Sequence, residues 1–408
     1  MWNNDELRGR FPSLQFEVAG RPAVFFDGPA GSQVPLSVVD AMSRNMLEAN
    51  ANTGGCFATS IAAGRALEAA HASVAGFMGA ADPGEVVFGP NMTTLTLALA
   101  RAMTREWGPG DEIVVSRMEH DANYTPWVQA ARDAGATLRH IEVDPATCTL
   151  EMDSLDAVLN EKTRLVAVGA ASNMVGTINP VQEISRRAHA VGAQVFVDAV
   201  HYAPHRLMDV TAWGADFVAC SAYKFFGPHI GILWGRRSLL ESLPVYKLRP
   251  PSEKAPERWM TGTQNHEGLA GTVAAIEHIA SLGAQGTTGR EQIVSAFEAI
   301  AAYERDLSSR LIDGLQAIGG VRVWGIVDPE RFDERVPTLS ITHERVAPSE
   351  MARFLAEQGI FVWDGNYYAL PLSETLGLEP DGTVRIGLLH YNTVEEVDRL
   401  LEAVASLG

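Results

Sequence analysis

Between residues 85 and 234, short and continuously apolar runs alternate with longer amphipathic ones, and few architectures accept that pattern. Residues 86–88, 113–115, 137–143, 165–168, 195–197, 217–219 and 231–234 read as strands. Between them, 93–105, 123–134 and 181–191 carry helical spacing. An unbroken apolar run suits a strand buried on both faces, and a helix between two such strands is the crossover a parallel sheet requires. The expectation is an α/β chain whose mostly parallel sheet is covered by helices on both sides. Ligands in such sheets bind beyond the carboxyl ends of the strands, and Asp198 and Lys224 both fall at such ends.

The rest of the chain reads as a second, smaller unit. A proline-rich charged stretch at 248–256 marks a loop. Helical spacing resumes at 268–282 and again at 290–314. Beyond it, strands are expected at 321–323, 339–341, 360–362 and 384–386, with helices at 349–358 and 394–405. With 408 residues, 46% of them hydrophobic, the chain has ample material for two cores. A net charge of −18 and a pI of about 5.0 argue against nucleic acid, which needs clustered Lys and Arg. Three cysteines make no disulfide framework and point to a reducing, cytoplasmic setting. The segment Met1-Trp2-Asn3-Asn4-Asp5-Glu6 has neither the basic nor the apolar region of a signal peptide. No apolar run approaches membrane-spanning length.

Chemistry is concentrated at three strand ends. Phe88-Gly89-Pro90-Asn91-Met92-Thr93-Thr94 passes from strand to helix, where free amides and hydroxyls suit an anion; ordinary capping by Asn91 or Thr93 is the plainer alternative. Asp198 closes a strand and suits a positively charged ring nitrogen, or a turn. Lys224 follows an apolar strand and precedes Phe225-Phe226. A lysine there is either a surface residue at a strand end or a desolvated, nucleophilic amine able to form a Schiff base. An anion cup, a carboxylate and such a lysine together match the needs of pyridoxal 5′-phosphate.

The ordered motifs give this more weight. They are Phe25-Phe26-Asp27-Gly28-Pro29-Ala30, the 88–97 stretch, Glu119-His120-Asp121-Ala122-Asn123, Ser172-Asn173-Met174-Val175-Gly176-Thr177 and Val197-Asp198-Ala199. They continue with Ser221-Ala222-Tyr223-Lys224, Gly227-Pro228, Thr261-Gly262-Thr263-Gln264-Asn265, Arg385 and Tyr391-Asn392-Thr393. Along nearly its whole length the chain resembles the fold-type I pyridoxal-phosphate enzymes of the class V aminotransferase group, close to the SufS-like cysteine desulfurases. The resemblance implies a large sheet domain of the seven-stranded, mostly parallel type and a smaller α+β C-terminal domain. Expected bounds are an N-terminal segment at 1–20 packing on the small domain, a large domain at 21–265, connecting helix at 266–290 and the small domain at 291–408.

It also implies roles. Lys224 would anchor the cofactor as a Schiff base and move the Cα proton. Asp198 would pair with the ring nitrogen, His120 would stack on the ring, and Asn173 would bond the ring hydroxyl. Met92, Thr93 and Ser221 would hold phosphate, and Thr263 would reach the phosphate of a neighbouring subunit, making a homodimer with shared sites. Arg385 would clamp the substrate carboxylate. Trp363, Tyr367, Tyr368 and Asn52 are the further candidates for contact with an amino acid or amine substrate. No metal is expected.

Departures from the family pattern limit the reading. The desulfurases carry a glutamine where this chain has His201, which can still meet the cofactor oxygen but adds a titratable ring. Tyr223 replaces a histidine before the lysine. In Val362-Trp363-Asp364-Gly365-Asn366-Tyr367-Tyr368-Ala369, register puts Trp363 at the family's substrate arginine and Tyr368 at its sulfur-accepting cysteine. Sulfur transfer needs a thiolate. Cys56 is the one cysteine in a loop expected near the site, as a substitute nucleophile or as simple packing. The expected function is therefore pyridoxal-phosphate chemistry on an amino acid or amine, aminotransferase-like or lyase-like, with a substrate larger or less polar than cysteine. The alternatives are a desulfurase or C–S lyase working by another route, an epimerase, or a binding protein without turnover. Tyr367 and Tyr368 are acids or the walls of an aromatic pocket.

Overall fold

The computed structural model describes residues 3–407. The outermost ends of the expected 1–20 and 291–408 segments, at 1–2 and 408, lie outside the described residues. A seven-stranded sheet is formed by β1 (Val86–Gly89), β2 (Glu112–Ser116), β3 (Thr137–Ile141), β4 (Thr163–Gly169), β5 (Gln194–Asp198), β6 (Phe217–Ser221) and β7 (Gly231–Gly235), in spatial order β1-β7-β6-β5-β4-β2-β3. Neighbours pair in parallel except β7, which runs antiparallel to both β6 and β1. The tight connection from β6 to β7 explains the reversal: Gly227-Pro228 turns the chain straight back, whereas a parallel partner would need a crossover. Ile113–Val115, Leu165–Val168 and Val195–Val197 are fully buried, as expected for strands covered on both faces.

Helix α1 (Leu36–Glu48) and helix α2 (Ala58–Met78) precede the sheet and pack with α6 (His266–Ala280). Neither α1 nor α2 was expected, because α1 presents a largely exposed apolar stripe and α2 is rich in alanine. Helices α3 (Met92–Met103), α4 (Thr125–Ala134) and α5 (Val181–Ala190) are crossovers of the sheet. The start of α3 is capped by Asn91, whose Oδ1 accepts from Thr94 N at 2.8 Å. Gly231 on β7 lies directly under this turn; a Cβ there would come within 2.3 Å of the Asn91 carbonyl carbon, so only glycine lets strand and turn approach.

A long helix, α7 (Gly289–Gln316), leads to a four-stranded antiparallel sheet made of β8 (Val321–Trp324), β9 (Thr338–His343), β10 (Trp363–Gly365) and β11 (Thr383–Gly387), in spatial order β8-β9-β11-β10. Its core contains Leu311, Leu339, Ile341, Leu355, Val384 and Ile386. The expected strand at 360–362 is corrected here. Ile360–Phe361 pairs in parallel with Val24–Phe25, and the fourth strand of the small sheet is β10. Polar residues made β10 read as a loop. At the other end of the chain, Arg8 makes an ion pair with Glu396 at 2.8 Å, and Asn4 donates to the Tyr303 hydroxyl at 2.8 Å.

The two sheets meet at 173–177. Ser340 Oγ donates to Met174 O at 2.7 Å, and Val336 N to Gly176 O at 2.8 Å. Gly176 takes φ +80°, and a Cβ would lie 2.3 Å from Thr338 O. The fully buried Arg335 adds a clamp through backbone carbonyls alone, those of Ile326, Thr338, Val175 and Val336. Among the described residues no helix is long and apolar enough to cross a membrane, and no cluster of ligands suits a metal ion.

Candidate active site

Two compartments meet at Lys224. The inner one lies beyond the carboxyl ends of β1, β4, β5 and β6, and its walls include Met92, Thr93, His120, Asn173, Asp198, His201, Ser221 and Lys224. The outer one is closed by β10 and the loop after it. It is lined by Pro29, Ala30, Trp363, Asp364, Tyr367, Tyr368, Pro380 and Arg385, and shares His120, Asn173, Tyr223 and Lys224 with the first.

Lys224 ends a single 3-10 turn that follows β6 directly. Its amine donates to the carbonyls of Pro29 and Ala30, the latter at 3.1 Å. Ser32 holds that segment in place: its N donates to Tyr223 O at 3.1 Å, and its hydroxyl accepts from Phe226 N at 2.6 Å. Burial, then the nearby Arg385 charge, push the amine down to about 7, while Asp198 opposes them. A substantial neutral fraction at ordinary pH makes Lys224 a nucleophile and a base.

Asp198 terminates β5 and is pushed up to about 6 by burial, against a bond from Val200 N at 2.8 Å and the Lys224 charge. A buried carboxylate of this kind calls for a cation. His120 turns its Nδ1 to Ala122 N at 3.0 Å; burial, Lys224 and Arg385 hold it near 4, so the ring is neutral. Asn173 donates through Nδ2 to Tyr367 O at 3.0 Å, and its buried Oδ1 has no partner. Asn179 Oδ1, also on the inner wall, is likewise orphaned. At the start of α3, Met92 N donates to Ser221 Oγ at 3.0 Å, and Asn91, Met92 and Thr93 line the same cavity. His201 contacts Thr338 Oγ1 at 3.0 Å, and burial drives its pKa well below the usual value. The added titration expected at this position is thereby removed: His201 is a neutral ring.

On the outer side Arg385, mid-strand in β11, donates to Asn173 O at 2.9 Å and lies 4.2 Å from the centroid of the Tyr367 ring. Burial lowers its pKa to about 10, so the guanidinium stays charged. Tyr367 is a support rather than an acid. Its hydroxyl donates to Thr383 O, and burial raises its pKa strongly. Tyr367 and Tyr368 both take left-handed backbone, with φ 56° and 60°. For bulky side chains this is strained and persists only where neighbours hold it. The restraints are visible: Asp121 N donates to Tyr368 O at 2.7 Å, and Asn173 holds Tyr367 O. The Tyr368 ring lies 5.6 Å from that of His120.

Asn52 and Thr263 line neither compartment within this chain. They lie together on a separate cavity with Asn45, Met46, His266 and Glu267, because the loop after α1 runs to α6 rather than to the strand ends. Cys56 is exposed and on neither wall; Cys148 and Cys220 are buried, and burial raises both thiols, Cys148 to about 11. Cys148 sits in the hairpin turn between Val143–Asp144 and Thr149–Leu150.

One residue on the inner wall had been given no role. Glu119 accepts from Ser116 Oγ, from Gly169 N at 2.9 Å and from Asn123 Nδ2 at 2.6 Å, which ties the His120 loop to the end of β4. Burial pushes it up to about 8. Its sequence signal is an acidic residue three positions beyond an apolar strand and next to His120.

The inner residues fit pyridoxal 5′-phosphate. A desolvated amine, a buried carboxylate in need of a cation, an orphaned amide oxygen and the start of a helix line one cavity. The comparisons with known proteins agree. The aminotransferase class-V family model matches residues 24–400. A cysteine desulfurase of Dickeya dadantii strain 3937 is 33% identical over 412 residues, covering 97% of this chain and 95% of that one. The apo cysteine desulfurase of Thermococcus onnurineus NA1 superposes with a TM-score of 0.88 at 29% identity, covering 100% of this chain and 98% of that one. The cysteine desulfurase CsdA of Escherichia coli gives 0.85, again at 29% identity and with the same coverage. With its sheet order, its strand-end lysine and a family match over most of its length, the chain belongs to the aminotransferase class-V family, as a cysteine desulfurase-like pyridoxal-phosphate enzyme.

Proposed function

We propose that this enzyme transforms an amino acid or amine by aminotransferase-like or lyase-like chemistry rather than by sulfur transfer. The observation that carries this reading is the outer wall: Tyr368 lines it beside His120, and none of the chain's three cysteines lines either compartment. A phenol cannot take up sulfur as a persulfide. The bound cofactor supplies an aldehyde for the substrate amine and an electron-poor ring that acidifies Cα–H. Asp198 would keep the ring nitrogen protonated, and Asn173, His201 and the α3 start would bind its oxygens and phosphate. Arg385 would hold the substrate carboxylate, and Lys224 would take the Cα proton and return it elsewhere.

The same reading takes the working unit as a homodimer with shared sites. Thr263 and Asn52 border one cavity together with Met46, and Leu36, Val39, Met46, Leu47, Phe57 and Ile61, on or next to α1 and α2, are exposed apolar side chains. Light scattering checks the dimer.

The deciding experiment is product analysis. Incubation of the holoenzyme with cysteine should give no steady release of alanine. A screen of amino acids should instead find substrates that change the visible cofactor band and yield keto acid or eliminated product. Steady alanine formation that survives Cys56→Ala and is lost in Lys224→Ala would overturn the reading in favour of desulfuration by another route.

A further inference from the structure

The outer compartment has a composition that the reaction itself does not require. Trp363 on β10 is the direct cross-strand partner of Arg385 on β11, so the indole and the guanidinium share one face of the sheet. Trp363 is 53% exposed and Tyr368 70% exposed, although both line a cavity. Wet aromatic faces of this size inside a concave site mark a place for an apolar ligand group. The polar end of Tyr367 is used internally on Thr383, and Asn366 donates to Glu379 at 2.9 Å, so these side chains have partners of their own. Among the described residues, Asp364 is the only carboxylate that lines this wall.

From these placements we infer that the outer compartment selects an α-amino acid with a neutral aromatic side chain, which lies against Trp363 and Tyr368 while its carboxylate is held by Arg385. This rests on the proposed amino-acid reading of the site. A carboxylate on Arg385 and an amine turned to Lys224 leave the α-substituent to the remaining wall, where Trp363, Tyr368 and Pro380 are the exposed apolar side chains. A thiol or methyl side chain is too short to cover both rings and leaves them wet. An acidic side chain meets Asp364. A ring gains both the burial and the edge or face contact that aromatic pairs favour.

The test separates binding from turnover by using ligands without an amine. Calorimetric titration of the holoenzyme with 3-phenylpropionate and with propionate should show the aromatic acid bound at least about tenfold more tightly. Trp363→Ala and Tyr368→Ala should each lower the ratio of the two affinities, and Trp363→Phe should restore most of it. Both side chains are well exposed, so their removal should leave folding intact. A second arm follows the cofactor absorbance with phenylalanine, tyrosine, alanine, cysteine and aspartate. Equal binding of the two acids, or a preference untouched by both alanine variants, overturns the inference. If amino acids of every size shift the band with similar affinity, the inference fails and the proposed function stands. If 3-phenylpropionate binds by this pattern and no amino acid shifts the band, the aromatic site stands and the proposed function fails.

Discussion

The inner and outer compartments share Lys224, yet they are built on opposite terms. The inner one is made by strand ends of a single sheet. Its ionisable groups are buried, and desolvation dominates the shifts of Lys224, Asp198, His120, His201 and Glu119 alike. The outer one is made where two sheets meet. Its aromatic residues are partly wet, and its buried guanidinium, Arg385, is held by a carbonyl and a ring face. A buried electrostatic site tolerates little change, because each group sets the charge state of the next. A wall of exposed aromatics can be altered without disturbing the fold. The comparison suggests that the inner compartment determines which cofactor is used and the outer one determines which substrate.

That contrast can be broken by mutation. The largest effect belongs to the shared lysine. Lys224→Ala should abolish the visible cofactor band of the bound imine and lower turnover by at least about a thousandfold, the upper range for a lost general base. Retained band and rate would remove Lys224 from both compartments. Next comes the outer charge. Arg385→Ala should weaken binding of substrate carboxylate by about 2–3 kcal/mol, read as a rise in KM, with Arg385→Lys in between because an ammonium cannot reproduce the guanidinium fork.

A stability experiment sharpens the inner half. In cofactor-free protein Lys224 is depressed from 10.5 to about 7, so the unfolded chain binds the extra proton between those values. Stability therefore rises with pH across that window, and the cost of the buried amine is full below pH 7. Lys224→Met should stabilise the cofactor-free protein by about 2 kcal/mol at pH 6.5, after allowing for the donors lost to Pro29 O and Ala30 O, with the gain shrinking towards pH 10. Denaturant melts across that range check both the sign and the trend. The smallest effect concerns the support under Arg385. Tyr367→Leu removes the ring face and should raise KM about fivefold, a loss of ~1 kcal/mol, whereas Tyr367→Phe keeps the ring and should leave KM unchanged. Equal effects of the two would mean that the hydroxyl on Thr383, not the ring, holds the clamp.

Most of the inner compartment was legible in the chain because its parts are local. Lys224, Asp198 and the Asn91–Thr94 turn each sit at the end of an apolar strand, and strand-end placement alone sends them to one side of a parallel sheet. His120 and Asn173 needed the family resemblance, since a histidine and an asparagine in turns have many plainer uses. The antiparallel β7 was hidden because a fully buried strand carries no mark of its direction. Strand β10 was missed because Trp363-Asp364-Gly365 has too few apolar residues to signal a strand, and its place depends on pairing with β11.

By itself, then, the sequence determined the α/β architecture through its periodicity and the cofactor through its ordered motifs, and it marked Lys224 as the candidate anchor, because these signals are carried on single elements. The tertiary structure alone decided which side chains meet at the outer wall. The pairing of Trp363 with Arg385, the ring of Tyr367 beneath that guanidinium and the separation of Asn52 and Thr263 from the cavity all depend on how distant segments come into register. Such contacts arise from packing between elements far apart in the chain, and no local pattern encodes them.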